Sequence, residues 1–574
     1  MADVVEVAPW SPESSEMPTQ RLELPRLWRR LALGAVLLVS IFMNFFQLGL
    51  NGYGNLYYAA GVRSMADSWH NFFFVSFDPG GFVTIDKPPL GFWLQTISTH
   101  VFGFTPFSIF LPQALCGVLA VLLLYHLVRR HFGVVAGLIA ALALAVSPIS
   151  VVTNRNNTID GTLALVLLLA AWAIILACES GKLRWLLLSA VWVGIGFNVK
   201  MAEAYLVVPA LVMAYLLCAP RKLWTRIWHL SLFVVVALTL SLSWAIVVDL
   251  TPAAQRPYVG STQDNSELSL AFGYNGLNRL RIGGNRFGRY QSNTRTTTKN
   301  TPDNTSNSTN TPAPGNGSTS GNNAGGQFPT ARGGNPTGAA QGPGGAFQNG
   351  AFDPLRLFST SLGGQIAWLL PFALLAIVAL AWWRRPRLQQ DRQQLGLVLW
   401  GFWLITMAVF FTLEGAFHEY YMTEMAPGLC ALVGIGLVVM WQQYRSGDWR
   451  GWLLPFALAL TAVVQIAMLS SYPTWAQWLS PLIAILTVLA LLALLFFRLG
   501  PRFNVRAGLA TVRVASVALS IGMLALLVAP TVWSGYSVIQ NTESSAPTAG
   551  PGAQGNPGGA RTGFAAGNGR GQGN

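Results

Sequence analysis

Acidic and basic side chains stand out in the stretch from Asn71 to Gln95, NFFFVSFDPGGFVTIDKPPLGFWLQ, which is otherwise mostly apolar and aromatic. It contains Asp78, Asp86 and Lys87, and two prolines follow the lysine. Adjacent side chains diverge, so we do not expect Asp86 and Lys87 to pair. The prolines keep Lys87 out of a helix interior and hold it out to meet a phosphate. A carboxylate here can accept a proton or bind a sugar hydroxyl. The alternative is a turn with interfacial anchors.

Three further polar features stand at the boundaries of apolar segments. Asp160 opens one segment, and the alternative to a catalytic role is a helix N-terminal acid stabilised by about 0.3–1 kcal/mol. Lys200 lies between two segments, where its side chain could also extend to the interface. The run from His418 to Tyr421 begins a later segment, and aromatic residues there are also common interface anchors. One histidine is too few for zinc, so we expect no metal and no cofactor. A divalent cation is the alternative, although no pattern in the sequence supports it.

The composition is that of a polytopic membrane protein. The 574 residues are 52% hydrophobic and 10% charged, whereas a soluble protein carries about 25% charge. The net charge of +14 comes from short clusters between apolar runs, which indicate topology rather than nucleic-acid binding. The four Cys lie in or at the ends of apolar segments without a CxxC pair, which argues against structural zinc or a disulfide framework. The polar, partly acidic N-terminus is not a signal peptide.

A bilayer-spanning helix needs about 20 apolar residues. With that length, and with basic clusters as cytoplasmic markers, the sequence predicts an all-α protein with about 13 transmembrane helices in the cell membrane, with short helices of the first outer loop lying on the membrane surface. The predicted segments are a cytoplasmic tail (1–26), an N-terminal membrane core (27–250) with an outer loop (51–105), a second outer loop (251–361) that is disordered over about 300–350, C-terminal membrane helices (362–534) and a disordered outer tail (535–574). The disorder follows from Asn-, Gly-, Thr-rich composition, which cannot bury enough apolar surface.

This topology brings many ionisable and phenolic groups to the outer membrane face. They are Asp78, Asp86, Lys87, Arg155, Asp160, Lys200, Glu203, Asp249, Arg256, Asp264, His418, Glu419, Tyr420, Tyr421 and Glu424. Ionisable groups at membrane depth are costly unless they pair or line a polar cavity. The sequence therefore predicts a site at the outer interface. P-loop, HExxH and GxSxG motifs are absent from the sequence.

The segment FVTIDKPPLGFWLQ resembles the EKPP-type segment of bacterial lipid A aminoarabinose transferases and protein O-mannosyltransferases, which are membrane glycosyltransferases of the GT-C class. Four later segments agree in order: TNRNNTIDGTLALVLLLA (153–170), GIGFNVKMAEAYLVVPAL (194–211), RPYVGSTQDNS (256–266) and FHEYYMTEMAPGLCAL (417–432). The resemblance runs from about Arg30 to Arg445. The sequence is also similar to a subgroup of bacterial mannosyltransferase-like proteins that have Gly-rich outer loops.

The resemblance implies sugar transfer from a polyprenyl-phosphate-sugar donor to an envelope lipid, glycan or protein outside the cytoplasmic membrane. By position, it implies that Lys87 contacts the donor phosphate and that Tyr421 lies near the donor site. No nucleic acid is expected as a partner, whereas membrane lipids are. The predicted catalytic residues are Asp86, Asp160 and Asp78, and the predicted substrate-binding residues are Lys87, Lys200, Arg256, Tyr258, His418, Tyr421 and Asn55.

One departure concerns the catalytic base. Many enzymes of this family carry an Asp-Glu pair just after the first span, and aligning its Tyr-Ala to Tyr58-Ala59 places Gly54 and Asn55 there. Either one of the three candidate aspartates takes the base role, or the acceptor needs no base, or the chain is inactive.

Two other functions are compatible with the sequence. A transporter or flippase for a lipid-linked sugar would carry charges near the bilayer midplane and matched broken helices in two halves, and we find neither pattern. A non-catalytic membrane scaffold would use the Asn- and Gly-rich loop and tail, and the missing acid pair is consistent with it. The absence of an outer pocket joining Asp86 and Lys87 would favour the scaffold.

Overall fold

The computed structural model describes residues 25–276, 353–383, 392–414, 417–499, 509–540 and 544–551. Within these ranges the chain is helical, and the β-bridges are two isolated ones, Ser76 to Thr84 and Val83 to Tyr258. The predicted all-α fold is confirmed. The stretch predicted to be disordered, 300–350, and nearly all of the predicted cytoplasmic tail lie outside the described residues.

Nineteen helices follow one another in the described part of the chain, with short 3-10 or π turns between several of them. They are α1 (Arg26–Phe45), α2 (Leu56–Asp67), α3 (Trp69–Phe74), α4 (Leu90–Phe102), α5 (Pro106–Phe132), α6 (Val134–Ala145), α7 (Pro148–Asn154), α8 (Asp160–Ser180), α9 (Leu183–Lys200), α10 (Val208–Cys218), α11 (Leu223–Leu250), α12 (Glu267–Ser269), α13 (Thr360–Ile366), α14 (Leu370–Trp383), α15 (Arg392–Leu413), α16 (Ala426–Arg445), α17 (Leu453–Leu469), α18 (Pro473–Leu499) and α19 (Leu509–Gln540).

The number of membrane crossings depends on how the bent pair α6–α7 and the segment Leu183–Cys218 are counted. Eleven helical segments of the described residues are long and apolar enough to cross a membrane, and α6 with α7, bent by 59°, makes a twelfth. One of the eleven is Leu183–Cys218, but the chain reverses inside it at Met201, whose φ is +47°. Nε of Arg221, beyond its end, donates to the carbonyl of Gly181, before its start, at 2.9 Å. Both ends therefore lie together, and counting this hairpin as two crossings reproduces the predicted thirteen.

The two ends of the helix bundle differ in chemistry. α5 begins at a capping box formed by Thr105 and Ser108, a motif that satisfies two orphan backbone donors. It ends in basic residues, where His131 Nε2 lies 2.8 Å from a carboxylate oxygen of Glu179 at the end of α8. We call this the basic end of the bundle. The opposite end, where α8 begins at Asp160, is called the site end.

The predicted short helices of the first loop are present as α2, α3 and α4 at the site end. This loop joins the loop after α11 through its backbone. The amide of Thr84 donates to the carbonyl of Tyr258 at 2.9 Å, and the amide of Tyr258 donates to the carbonyl of Phe82 at 2.8 Å. The two loops therefore form one layer over the ends of the helices.

The predicted disorder of the tail does not hold for its first part. α19 continues to Gln540, and residues 544–551 lie against the site end, where Gln365 binds the backbone of Ala549. Composition indicated disorder because the tail is short of apolar residues, but hydrogen bonds from side chains far away in sequence fix its backbone. Residues 552–574 lie outside the described residues.

Candidate active site

A buried lysine lies among three carboxylates at the site end. Lys200 ends α9, and its ammonium contacts the carboxylates of Asp160 and Glu203 and lies 3.5 Å from Oε1 of Glu424. Their exposed fractions are 3% for Lys200, 0% for Asp160, 6% for Glu203 and 0% for Glu424. The ammonium also lies 3.7 Å from the ring centroid of Tyr421, a cation–π distance. We call Lys200 and the three acids the Lys200 cluster.

Three different elements supply the acids of the Lys200 cluster. Asp160 is the first residue of α8, Glu203 lies in the 3-10 turn after α9, and Glu424 lies in the 3-10 turn before α16. One ammonium against three ionised carboxylates leaves an excess of negative charge in a buried place, which is costly. The cluster therefore needs protons or a second cation in addition to Lys200.

The same three acids have the spacing of a metal site. One oxygen from each of Asp160, Glu203 and Glu424 lies within 4.8 Å of the others, and carboxylate oxygens suit hard divalent cations. The ammonium of Lys200 contacts the same carboxylates and supplies one of the two positive charges that a divalent ion would bring. The expectation of no metal stays a prediction.

Lys87 forms a second polar group. Its Nζ lies 3.3 Å from Oδ2 of Asp86 and donates to Oδ1 of Asn275 at 3.2 Å. The prediction that Asp86 and Lys87 do not pair is wrong, because Lys87 folds back and also donates to the carbonyl of Asp86 at 3.2 Å. Lys87 is 5% exposed, so its side chain is buried rather than held out into solvent.

One cavity is lined by a member of the Lys200 cluster and by the hydrogen-bond partner of Lys87. It has a volume of about 340 Å³, and its polar lining includes Glu203 of the Lys200 cluster and Asn275, the partner of Lys87. Phe197, Phe272 and Phe410 are among its apolar walls. An apolar cavity with a few polar groups is typical of a ligand site. This cavity therefore lies beside Asn275, which binds Lys87, and beside Glu203, which contacts Lys200.

Two adjacent tyrosines of α2 lie near Asp86, and the second also lies near Asp160. Burial and the carboxylate of Asp86 raise the pKa of Tyr58, and Asp160 and Tyr421 add to this rise. Burial and Asp86 likewise raise the pKa of Tyr57, whose hydroxyl oxygen accepts from the amide of Asp86 at 3.2 Å. Both phenols therefore stay protonated at neutral pH. The sequence analysis did not select them, because a tyrosine near a membrane surface carries no signal of its own.

His418 and Tyr421, both predicted to bind substrate, are brought to this site. The ring of His418 stacks on Tyr420 with centroids 5.2 Å apart and makes an edge contact with Tyr421 at 5.6 Å. Tyr420 lies 5.5 Å from the ammonium of Lys200. The three rings therefore cover one side of the Lys200 cluster. Glu203 and Glu424 were placed at the outer face by topology but were not selected as site residues, since only the fold shows that they share Lys200.

Asp78, a predicted catalytic residue, binds its own turn instead. Its Oδ2 accepts hydrogen bonds from the amides of Phe82 and Val83, both at 3.0 Å. A carboxylate that accepts from the backbone a few residues further on stabilises a turn. The structure therefore gives Asp78 a local role and does not bring it to the Lys200 cluster.

Arg256 and Tyr258, predicted to bind substrate, hold the loop after α11. The guanidinium of Arg256 donates to the carbonyl of Thr251 at 3.0 Å and to the carbonyl of Asn265 at 2.7 Å. The hydroxyl of Tyr258 donates to the carbonyl of Thr262 at 2.9 Å. These contacts close the loop on itself, so the loop reaches the site through backbone pairing rather than through these two side chains.

Asn55 lies in a network of side-chain amides. Its Oδ1 caps α2 by accepting from the backbone amide of Tyr58 at 3.2 Å. The backbone amide of Asn55 donates to Oδ1 of Asn157 at 2.8 Å. The neighbouring Gly54 has a φ of +65°, and a Cβ there would lie 2.8 Å from Oδ1 of Asn157 and 3.0 Å from Nδ2 of Asn156. The backbone at Gly54 therefore leaves no room for the first acid of the family pair.

A side chain at Gly54 is expected to destabilise the protein. Gly54→Ala should lower the free energy of unfolding by about 1–3 kcal/mol, because it forces an L residue into a left-handed conformation against Asn157. Gly34→Ala is the control, since a Cβ at Gly34 meets nothing within 4 Å and alanine favours a helix by about 1 kcal/mol. Thermal unfolding of the detergent-solubilised variants measures both. Equal unfolding temperatures for Gly54→Ala and Gly34→Ala would show that position 54 accepts a side chain.

The fold defines a class of protein. In a comparison with solved structures, the archaeal oligosaccharyltransferase AglB from Archaeoglobus fulgidus, in complex with an inhibitory peptide and a dolichol-phosphate, matches with a TM-score of 0.50 at 14% identity. The match covers 91% of this chain and 56% of AglB. This likeness shows the polytopic GT-C fold.

Sequence comparisons define the family. The family model described as "Dolichyl-phosphate-mannose-protein mannosyltransferase" matches residues 86–244. "Putative mannosyltransferase YycA" of Bacillus subtilis (strain 168) is 40% identical over 467 residues, which cover 77% of this chain and 68% of YycA. "Putative mannosyltransferase YkcB" of the same organism is 38% identical over 559 residues, which cover 90% and 76%. The chain belongs to this family of GT-C membrane glycosyltransferases.

A more distant relative belongs to the aminoarabinose transferases, the other group that the sequence resembles. The undecaprenyl phosphate-alpha-4-amino-4-deoxy-L-arabinose arabinosyl transferase of Photorhabdus laumondii is 24% identical over 170 residues, which cover 29% of this chain and 31% of that enzyme. The predictions of a glycosyltransferase, of a multi-pass membrane protein and of the GT-C class are therefore confirmed.

Proposed function

We propose that this protein transfers a sugar from a polyprenyl-phosphate-sugar donor to an acceptor in the cell envelope, which is a lipid, a glycan or a protein. The observation that carries the proposal is a cavity lined by Glu203, which contacts Lys200, and by Asn275, which accepts a hydrogen bond from Lys87. AglB, which shares the fold, was solved with a dolichol-phosphate, and the comparisons with YycA and YkcB favour mannose as the sugar.

The cavity suits the two parts of such a donor. Apolar walls such as Phe197 and Phe410 match the first isoprenoid units, which gain free energy by leaving water. The ammonium of Lys87, which donates to the cavity-lining Asn275, matches the phosphate on which negative charge develops as the sugar leaves. A donor already activated as a phosphate ester needs no ATP, in agreement with the missing P-loop.

Asp86 is the carboxylate best suited to accept the proton of an acceptor hydroxyl. Its Oδ2 pairs with Lys87, whereas Oδ1 makes no hydrogen bond within the described residues. Asp160 is engaged by Lys200 and Asp78 by its own turn. We therefore assign the base to Asp86 and an electrostatic, positioning role to the Lys200 cluster.

The reaction belongs on the extracytoplasmic side of the cytoplasmic membrane. Basic clusters mark cytoplasmic loops, and Arg129, Arg130 and His131 lie at the basic end, opposite the site end. We therefore retain the predicted topology, in which residues 1–26 are cytoplasmic and the loops 51–105 and 251–361 lie outside.

The test of the base is Asp86→Asn. Transfer of radiolabelled sugar from a polyprenyl-phosphate donor in membranes should fall at least about 100-fold, because an amide cannot accept the proton. Asp78→Asn is the control and should keep its activity, since its carboxylate serves a turn. A loss of only a few-fold in Asp86→Asn would move the base to Asp160.

The acceptor is to be found by mass spectrometry of envelope lipids, glycans and proteins from cells with and without the gene. A species lacking one hexose in the mutant supports sugar transfer and names the acceptor. Unchanged glycans in all three fractions would favour the transporter or the scaffold, neither of which forms a glycosidic bond.

A further inference from the structure

A segment of the C-terminal tail lies in a groove at the site end that the proposed reaction does not use. We call residues 544–551, with the sequence SSAPTAGP, the strap. Five hydrogen bonds hold its backbone: Asn156 Nδ2 to the Ser544 carbonyl at 2.9 Å, Asn55 Nδ2 to the Ser545 carbonyl at 3.1 Å, Gln365 Nε2 to the Ala549 carbonyl at 3.1 Å, the Ala549 amide to Gln365 Oε1 at 2.7 Å, and the Gly550 amide to Ser537 Oγ at 2.8 Å.

Every one of these bonds joins a side chain of the helix bundle to the backbone of the strap. The donors and acceptors come from separate elements: the start of α2, the turn between α7 and α8, α13 and α19. Gln365 both donates to and accepts from Ala549, which is the pairing that one strand gives to the next. The groove therefore recognises backbone groups of the strap and reads little of its side-chain chemistry.

The dimensions of the groove select small residues. Pro547 and Ala549 are buried, whereas Thr548 between them is exposed, so alternate side chains face the groove over these three residues. At Gly550 the φ is +81°, and a Cβ would lie 1.9 Å from Nε1 of Trp533. Trp533 is 0% exposed and its indole N–H has no hydrogen-bond partner within the described residues. The floor of the groove therefore offers a buried donor that the strap leaves unused.

We propose that this groove is a peptide-binding site for extended segments of small residues, and that the strap is its tethered ligand. The groove adjoins the candidate active site through Asn55, which binds the strap and also caps the helix that carries Tyr58. A tethered ligand competes with a second peptide at an effective concentration on the order of millimolar. An external peptide therefore binds well only when the strap is displaced.

The test uses the full-length protein in detergent and a fluorescently labelled peptide SSAPTAGP. Gly550→Val should displace the end of the strap, because its side chain would overlap Trp533. Gly535→Val is the control, since a Cβ at Gly535 meets nothing within 4 Å. Fluorescence anisotropy should show the peptide binding at least roughly tenfold more tightly to Gly550→Val than to the wild type or to Gly535→Val.

Hydrogen–deuterium exchange shows whether the strap was displaced. The amides of Ala549 and Gly550 should be protected in the wild type and in Gly535→Val but exchange rapidly in Gly550→Val. Adding Gln365→Leu to Gly550→Val should abolish peptide binding. Rapid exchange in the wild type, retained protection in Gly550→Val, or equal peptide binding by the three proteins, including none, would overturn the proposal. These readouts measure binding alone, so their failure leaves the proposed sugar transfer untouched.

Discussion

Lys200→Met is expected to lower the free energy of unfolding by about 3–5 kcal/mol, because it leaves buried carboxylates without their partner. Among the described residues, Lys200 is the cation that contacts Asp160, Glu203 and Glu424 together. Its loss would increase the excess of negative charge in a place that water hardly reaches. Thermal or denaturant unfolding of the protein in detergent measures the change, and a failure to accumulate in membranes would be its extreme form.

The matched control is Lys182→Met. Lys182 is exposed at the basic end, and surface changes of this kind usually stay within about 0.5 kcal/mol. Adding Glu424→Gln to Lys200→Met should restore part of the stability, since it removes one of the unpaired charges. The combined cost should then be smaller than the sum of the two single costs. A Lys200→Met protein as stable as the control would show that the acids are held neutral without Lys200.

Lys87→Met is expected to reduce sugar transfer by about 100- to 1,000-fold, the usual cost of losing one group that stabilises developing charge. Lys87 is buried against Asp86 and Asn275, so some loss of stability is expected too. The loss should be smaller than for Lys200→Met, because a single partly accessible carboxylate, Asp86, loses its partner.

Donor binding separates the two effects of Lys87→Met. A ligand that binds the folded protein raises its unfolding temperature, so a polyprenyl phosphate should stabilise the wild type and the control Lys182→Met. It should stabilise Lys87→Met much less. Full transfer activity together with an unchanged donor-induced shift in Lys87→Met would contradict the assignment of the phosphate to this lysine.

Apolar segment lengths and basic clusters predicted the fold closely. The one difference in counting arises at Leu183–Cys218, where a continuous apolar stretch turns back at Met201. The sequence analysis placed Lys200 at an outer boundary between two spans. In the structure α9 ends at Lys200, and the chain turns back at the next residue. The reversal at Met201 agrees with the predicted pair of spans, for which the basic residues after α10 required a return to the cytoplasmic side.

The local geometry of the site was harder to predict. Composition could not show that Asp86 and Lys87 pair, because the bend between them depends on contacts with Asn275 and Tyr57. Likewise, nothing in the pattern around Asp78 or Arg256 distinguishes a residue that holds its own loop from one that binds a ligand. Only the tertiary structure shows that their polar atoms are already engaged by nearby backbone groups.

The sequence by itself determined that the chain is a polytopic helical membrane protein with its polar groups at one face, because about 20 apolar residues cross a bilayer whatever their neighbours are. Only the tertiary structure decided which polar groups meet. Asp160 and Lys200 are 40 residues apart in the chain, and Glu424 comes from a distant helix. The strap too was assigned by composition to disorder, and its place was decided by amides of α2, α13 and the turn before α8. Contacts of this kind depend on how helices pack, which one sequence does not encode in any local pattern.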